Sequence, residues 1–220
     1  MDFKFNLNTD FKFDGKKTSK ETSEIYNDKV HIFLKEMRIL NLPSFKESSF
    51  IKIKNVITDL RLPKKSEQLR IRVQQSINLI AIIVKIIKEK KIIDELNIAT
   101  YSLNMEAFEI IEDLYLQKKI KKIRLFISSS YDYRNIKYKK YLIDKCLKMN
   151  IKLVFLWIHL KITLVKCGTN FYQFEGSMNY SQNNMAEQLL FENNKYIYND
   201  DYLFFEDICN INCNGVEIIN

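Results

Sequence analysis

Apolar positions along this chain follow two periods. From Glu95 onward, short apolar runs alternate with longer stretches whose apolar residues return every three or four positions. Glu95–Leu103, Ile123–Ser128 and Ile151–Ile158 read as strands. Met105–Lys119, where Phe108, Ile111, Leu114 and Tyr115 share one face, and Tyr138–Met149 read as amphipathic helices. Asn104 stands where an N-cap belongs. Lys161–Cys167 and Asn170–Glu175 read as two further strands, turned at Gly168. Strands alternating with helices predict an α/β protein, a mixed β-sheet flanked by helices on both faces.

The pattern upstream is less regular. Phe3, Phe5 and Leu7 alternate with polar neighbours, as a short strand or arm would. Val30–Leu40 suits a short helix, ended at Leu42-Pro43. Ile51–Leu62 alternates as a strand or extended connection and is broken at Pro63. From Glu67 the pattern turns helical, with Ser76 placed to cap a helix over Ile77–Glu89. A length of 220 residues suits one domain, 64–220, preceded by a smaller N-terminal extension, 1–63.

Charge narrows the partners. A formal net charge of +8 favours an anionic one, such as nucleic acid or a phospholipid surface, although a lysine-rich composition alone accounts for much of it. The most apolar run, Ile77–Ile87, is interrupted by Asn78 and Lys85 and is too short to span a bilayer, so no membrane insertion is expected. The opening residues lack a basic region followed by an apolar core, and the four cysteines show no CxxC pairing. A cytoplasmic protein with free thiols and no metal site follows as the expectation.

The candidate chemistry is concentrated after the third strand. His159 and Lys161, two apart on an extended run, bring an imidazole and an ammonium to one side of the chain. Gly176-Ser177-Met178-Asn179 then returns a hydroxyl and an amide. A nucleophile beside a cation and neutral donors suits attack on a phosphodiester, whose own negative charge repels nucleophiles. Imidazole is largely neutral near pH 7, its ordinary pKa being about 6.5.

His159-Leu-Lys161, Gly176-Ser177-Met178-Asn179 and Glu187, in that order within an α/β pattern, resemble the HxK…GSxN…E signature of the phospholipase D-like superfamily. The resemblance runs from about Glu95 to the C-terminus. Pro63–Arg72 and Ala99–Asn104 also look similar to small bacterial or phage-type members. It implies a phospholipase D-like fold and a phosphodiesterase that needs no metal or cofactor. His159 would attack phosphorus to form a phosphohistidine, and Lys161 and Asn179 would hold the non-bridging oxygens. Gly176 and Ser177 would bind substrate, and Glu187 would fix the far imidazole nitrogen, with Glu175 as its rival. Family enzymes use two such histidines, and the chain's other one, His31, has no lysine two residues on. The resemblance therefore implies a homodimer with a site shared at a two-fold axis. Where the family's motif continues to an aspartate, this chain has Lys166.

Several readings stay open at this level. Arg70 and Arg72, alternating with Ile71, suit either a phosphate-bearing ligand or a solvated face. Tyr131, Tyr133 and Tyr138, interleaved with Arg134 and Lys137, offer base stacking beside phosphate contacts. Lys88–Lys91 and Lys118–Lys122 are a nucleic-acid surface only if the fold gathers them. Trp157 is expected in the core. A nuclease is the first functional reading, a non-catalytic nucleic-acid or partner-binding protein the second, and a lipid-directed phospholipase the third.

Overall fold

The computed structural model describes residues 47–50, 60–73, 78–132, 136–181, 186–210 and 217–219. All belong to the second of the chain's two units, Leu40–Asn220. The elements expected over 3–7, 30–40 and 51–59, the cap at Ser76 and most of the 1–63 extension lie outside the described residues.

The elements run β1 (Glu47–Phe50), β2 (Glu67–Val73), α1 (Ile80–Lys90), β3 (Glu95–Thr100), α2 (Met105–Leu116), β4 (Ile123–Ser128), α3 (Ser129–Asp132) and α4 (Ile136–Met149). They continue with β5 (Lys152–Leu156), β6 (Ile162–Cys167), β7 (Asn170–Gly176), β8 (Glu187–Asn193), α5 (Lys195–Asn210) and β9 (Glu217–Ile219). Among the described residues the strands form one mixed sheet in the order β1-β2-β8-β7-β6-β3-β4-β5-β9. Strands β3, β4 and β5 are parallel, joined by crossovers through α2 and α4. From β3 through β6, β7 and β8 to β2, every pairing is antiparallel.

Alternation along the strands builds two cores. Leu96, Ile98, Leu125, Ile127, Leu153 and Phe155 face α1, α2 and α4, which bury Ile82, Ile83, Phe108, Ile111 and Leu142 against them. On the opposite face Ala99, Phe126, Val154, Leu156 and Leu164 receive Tyr198, Phe205 and Ile208 of α5. Each buried Leu, Ile, Val or Phe among them is worth about 1.5–3 kcal/mol. Phe126 and Phe205 stack with centroids 4.7 Å apart. Beside them Arg124, 3% exposed, bonds Asn97 and Glu206 and lies 4.5 Å beneath the Tyr202 ring, fastening α5 to β3 and β4. The mixed sheet with helices on both faces stands as read from the sequence, and the Asn104 side chain accepts from Ala107 N at 2.9 Å, capping α2.

Three expectations change. Glu67–Val73 is a strand, not the start of a helix: Leu69 and Ile71 are buried while Arg70 and Arg72 are half-exposed, a period of two. Trp157 is 79% exposed because the chain has already left the sheet at Leu156. Tyr138 is buried on α4, so it offers no stacking platform, while Tyr133 and Arg134 lie outside the described residues. Strand β8, helix α5 and strand β9 were not foreseen.

The β6–β7 turn is held from a neighbouring segment. Asp94 accepts from Gly168 N at 2.6 Å and from Lys121 Nζ at 2.7 Å, and its own N–H reaches Lys166 O at 2.8 Å. The bonds from Lys121 and Gly168 hold its carboxyl below the ordinary 3.8. A depressed carboxylate pKa contributes stability above the unfolded value and loses it as pH falls through the folded one. Asp94→Asn should therefore cost about 1 kcal/mol at pH 7 in urea unfolding, a modest figure because the pair is partly exposed. The gap from wild type should close as pH is lowered through 3.8 and below.

Candidate active site

The site is made by the way the sheet changes direction. Strand β5 runs parallel to β4 and β3, whereas β6 is antiparallel to β3 and lies three positions away in the sheet. The connection, Trp157–Lys161, must cross the ends of β4 and β3, roughly 14 Å at about 4.8 Å per strand. Five residues and their flanking bonds reach about 20 Å when extended, enough to cross the gap without a helical turn. His159 and Lys161 are thus carried over the C-terminal end of β3, where the parallel strands of α/β sheets leave a crevice.

Lys161 Nζ lies 3.4 Å from His159 Nε2 and donates to His159 O at 3.2 Å. His159 is exposed, whereas Lys161 is 9% exposed. Tyr101, just past β3, meets the imidazole edge to face with centroids 5.1 Å apart, and Lys161 Nζ stands 5.8 Å over the same ring. Burial pushes the Lys161 ammonium below the usual lysine value, while the charge of Glu187 and the Tyr101 hydroxyl act in the other direction. Cations and aromatic faces attract, which partly offsets that burial.

The glycine-led segment closes the opposite wall. Gly176 ends β7, its N–H reaching Lys161 O at 3.3 Å. A Cβ at Gly176 would overlap the carbonyl oxygen of Gln188, so the β7–β8 approach accepts no side chain there. Ser177 N donates to Gln188 O at 3.1 Å, Ser177 Oγ accepts from Gln188 N at 3.1 Å, and its hydroxyl donates to Glu187. These bonds make Ser177 a link between two strand ends. Asn179 lies 3.4 Å from Thr100 Oγ1, at the end of β3. Beside it Leu103 and Tyr180 form a parallel bridge, and Tyr180 OH bonds Thr163 on β6 at 2.7 Å.

A cleft of about 470 Å³ is lined by Arg70, His159, Lys161, Glu175, Gly176 and Gln188, with Leu160, Ile162, Leu189 and Leu190 between them. The structure brings together His159, Lys161, Gly176 and Arg70 on that cleft, and sets Ser177, Asn179 and Glu187 at the same edge of the sheet. Arg72 shares the face of Arg70 but does not line the cleft, and Glu175 does. Glu187, 8% exposed, meets the Ser177 hydroxyl and the charge of Lys161. Tyr101 and Thr100 went unread as site residues; their signal was their place at the end of a strand next to the one that begins at Lys161. Lys166 stands at the other end of β6, opposite Glu95, with its ammonium 5.8 Å from the Phe171 ring. Among the described residues no three His, Cys, Asp or Glu side chains gather as a metal site.

No protein-family model matches the chain, and no curated protein does. Among solved structures it is similar to polyphosphate kinase from Porphyromonas gingivalis, with TM-score 0.50 and 17% identity over 70% of this chain and 28% of that one. The fold is phospholipase D-like. The chain spans little more than a quarter of that kinase. Phosphatidylserine synthase from Haemophilus influenzae Rd KW20 is also similar, with TM-score 0.46 and 11% identity over 75% of this chain and 44% of that one. So is TrmBL2, an archaeal chromatin protein, with TM-score 0.43 and 15% identity over 86% and 61%.

Within this phospholipase D-like fold the close approach at Gly176 gives a direct test. Gly176→Ala forces β8 away from β7 and should cost about 1–3 kcal/mol in urea unfolding, the range for overpacking.

Proposed function

We propose that this chain is a small member of the phospholipase D-like superfamily, a metal-independent phosphodiesterase acting on nucleic acid through a phosphohistidine. The observation that carries the reading is the convergence of His159 and Lys161, 3.4 Å apart, on one cleft with Gly176. Nε2, the imidazole nitrogen beside the ammonium, attacks phosphorus, and the bond to the leaving oxygen breaks. Lys161 and Asn179 hold the non-bridging oxygens as charge builds on them. Ser177, bound to Glu187, keeps that wall in place, and Glu187 is assigned the far imidazole nitrogen during turnover.

The leaving oxygen needs a proton, and the chain's second histidine, His31, stands outside an HxK element. A second copy of the chain supplies that proton from its own His159, in imidazolium form, across a two-fold axis. The neutral imidazole left there then takes a proton from water as the water attacks phosphorus, and the histidine–phosphorus bond breaks. The position of Lys166 favours a working site over a retired one, since it is removed from the cleft by the length of β6.

Hydrolysis in excess EDTA should persist for the wild type and fall at least 1000-fold in His159→Ala, assayed on single-stranded DNA, duplex DNA, RNA and a small aryl phosphodiester. Absence of hydrolysis from folded, dimeric protein would overturn the reading in favour of a binding protein. Lys161 gives a second test. It binds phosphate as the ammonium, so activity is lost as pH rises and the ammonium loses its proton. Because burial lowers its pKa from 10.5, the alkaline limb of kcat/KM should set in below that value.

A further inference from the structure

The two lysine-rich segments of the chain meet at one edge of the sheet. Lys88, Lys90 and Lys91 end α1, and Lys118, Lys119, Lys121 and Lys122 lie between α2 and β4. A parallel bridge between Ile93 and Ile120 lays the two segments side by side, with Ile93 N donating to Lys119 O at 2.8 Å and Lys121 N to Ile93 O at 3.0 Å. All seven lysines are exposed.

The carboxylates of this edge are already taken. Asp94 pairs with Lys121 at 2.7 Å, Glu95 with Lys122 at 3.2 Å, and Glu89 with Lys85 at 3.1 Å. Among the described residues, Lys88, Lys90, Lys91, Lys118 and Lys119 have no carboxylate within ion-pair distance. Helix ends favour cations, which accounts for one or two at each terminus. Five uncompensated ammoniums on two adjoining segments repel one another, and an anionic ligand relieves that repulsion. The cleft is at the other edge, roughly 20 Å away along the six residues of β3.

We propose that this edge is a second binding surface, separate from the cleft, that holds the phosphate backbone of nucleic acid. The cluster reaches along two chain segments, as binding to successive phosphates requires. A lipid surface fits less well, because the large apolar side chains exposed on these two segments are Ile92 and Leu116, with no aromatic ring for the interface. The nucleic-acid class rests on the reading of the cleft, whereas the surface itself does not. In a dimer joined at the cleft edge, one such surface lies at each outer end.

Lys88→Glu/Lys90→Glu/Lys119→Glu, and the milder triple Gln variant, avoid the two left-handed positions Lys91 and Lys118. Folding is checked by thermal unfolding. In a His159→Ala background, fluorescence anisotropy with a labelled 20-base-pair DNA duplex should show at least tenfold weaker binding for the Glu variant. The slope of log K against log salt should fall by about 0.9 for each phosphate that is no longer neutralised. Hydrolysis of a small aryl phosphodiester by the same variants with His159 intact should be unchanged. Duplex binding within twofold of wild type would overturn the proposal. So would intact duplex binding together with impaired adsorption to phosphatidylglycerol vesicles, which would reassign the edge to lipid. Normal duplex binding by a wild type that hydrolyses no diester would sink the reading of the cleft and leave this surface standing.

Discussion

The reversal between β5 and β6 is the constraint from which the rest of the site follows. Three parallel strands deliver the chain to one edge of the sheet, and the next strand lies beyond β3, running the other way. A short connection must cross that gap over the end of β3, and it is held there by the bonds from Lys161 Nζ to His159 O and from Gly176 N to Lys161 O. His159 and Lys161 owe their proximity to this geometry and to the bond from Lys161 Nζ to the histidine's own carbonyl. The same crossing leaves Trp157 outside the core and puts Tyr101 under the imidazole.

Burying Lys161 carries an electrostatic cost, and its surroundings show how it is offset. A cation in low dielectric must be paired or hydrogen-bonded. Here it has the His159 carbonyl, the Tyr101 ring and, at longer range, the charge of Glu187. Glu187 in turn is held by the Ser177 hydroxyl, and Ser177 by the backbone of Gln188. These contacts tie the Trp157–Lys161 connection, the end of β3 and the β7–β8 strand ends into one network, although they are far apart in sequence. Gly176 is the steric condition for that network, because β8 comes too close to accept a Cβ.

The part of the fold driven by packing was legible. Strands β3, β4, β5, β6 and β7 and helices α2 and α4 bury regular apolar faces, so their periods survive in the sequence. Helix α5 was not legible because it carries apolar residues on both sides: Tyr198, Phe205 and Ile208 are buried, while Tyr196, Leu203 and Phe204 are exposed. Strand β2 was misread because Arg70 and Arg72 on either side of Ile71 suit a helix surface equally well, and only pairing with β8 decides between them. In the site, His159, Lys161 and Gly176 could be placed from their motif, since motif spacing records loop geometry. Thr100 and Tyr101 could not, because their neighbourhood is created by the β3–β6 pairing between residues more than sixty positions apart in the chain.

The separation of the cleft from the lysine edge is itself a consequence of topology. In a parallel β-α-β run, each helix returns the chain to the edge where the next strand begins, so helix C-termini collect there. Their carbonyl ends favour lysine, as in the last turn of α1 with Lys88 and Lys90, and the bridge between Ile93 and Ile120 lays the lysines that follow α2 beside them. The strand ends, with their open crevice, fall at the opposite edge, where His159 and Gly176 lie. A fold of this kind therefore separates the lysine edge from the cleft without any element dedicated to doing so. What helix electrostatics does not require is the shortage of carboxylates beside Lys88, Lys90 and Lys119, since surface lysines elsewhere on this chain, such as Lys145 with Glu112 and Lys148 with Asp144, have acquired partners. An edge whose lysines outnumber its carboxylates is the pattern expected when the missing anion belongs to another molecule.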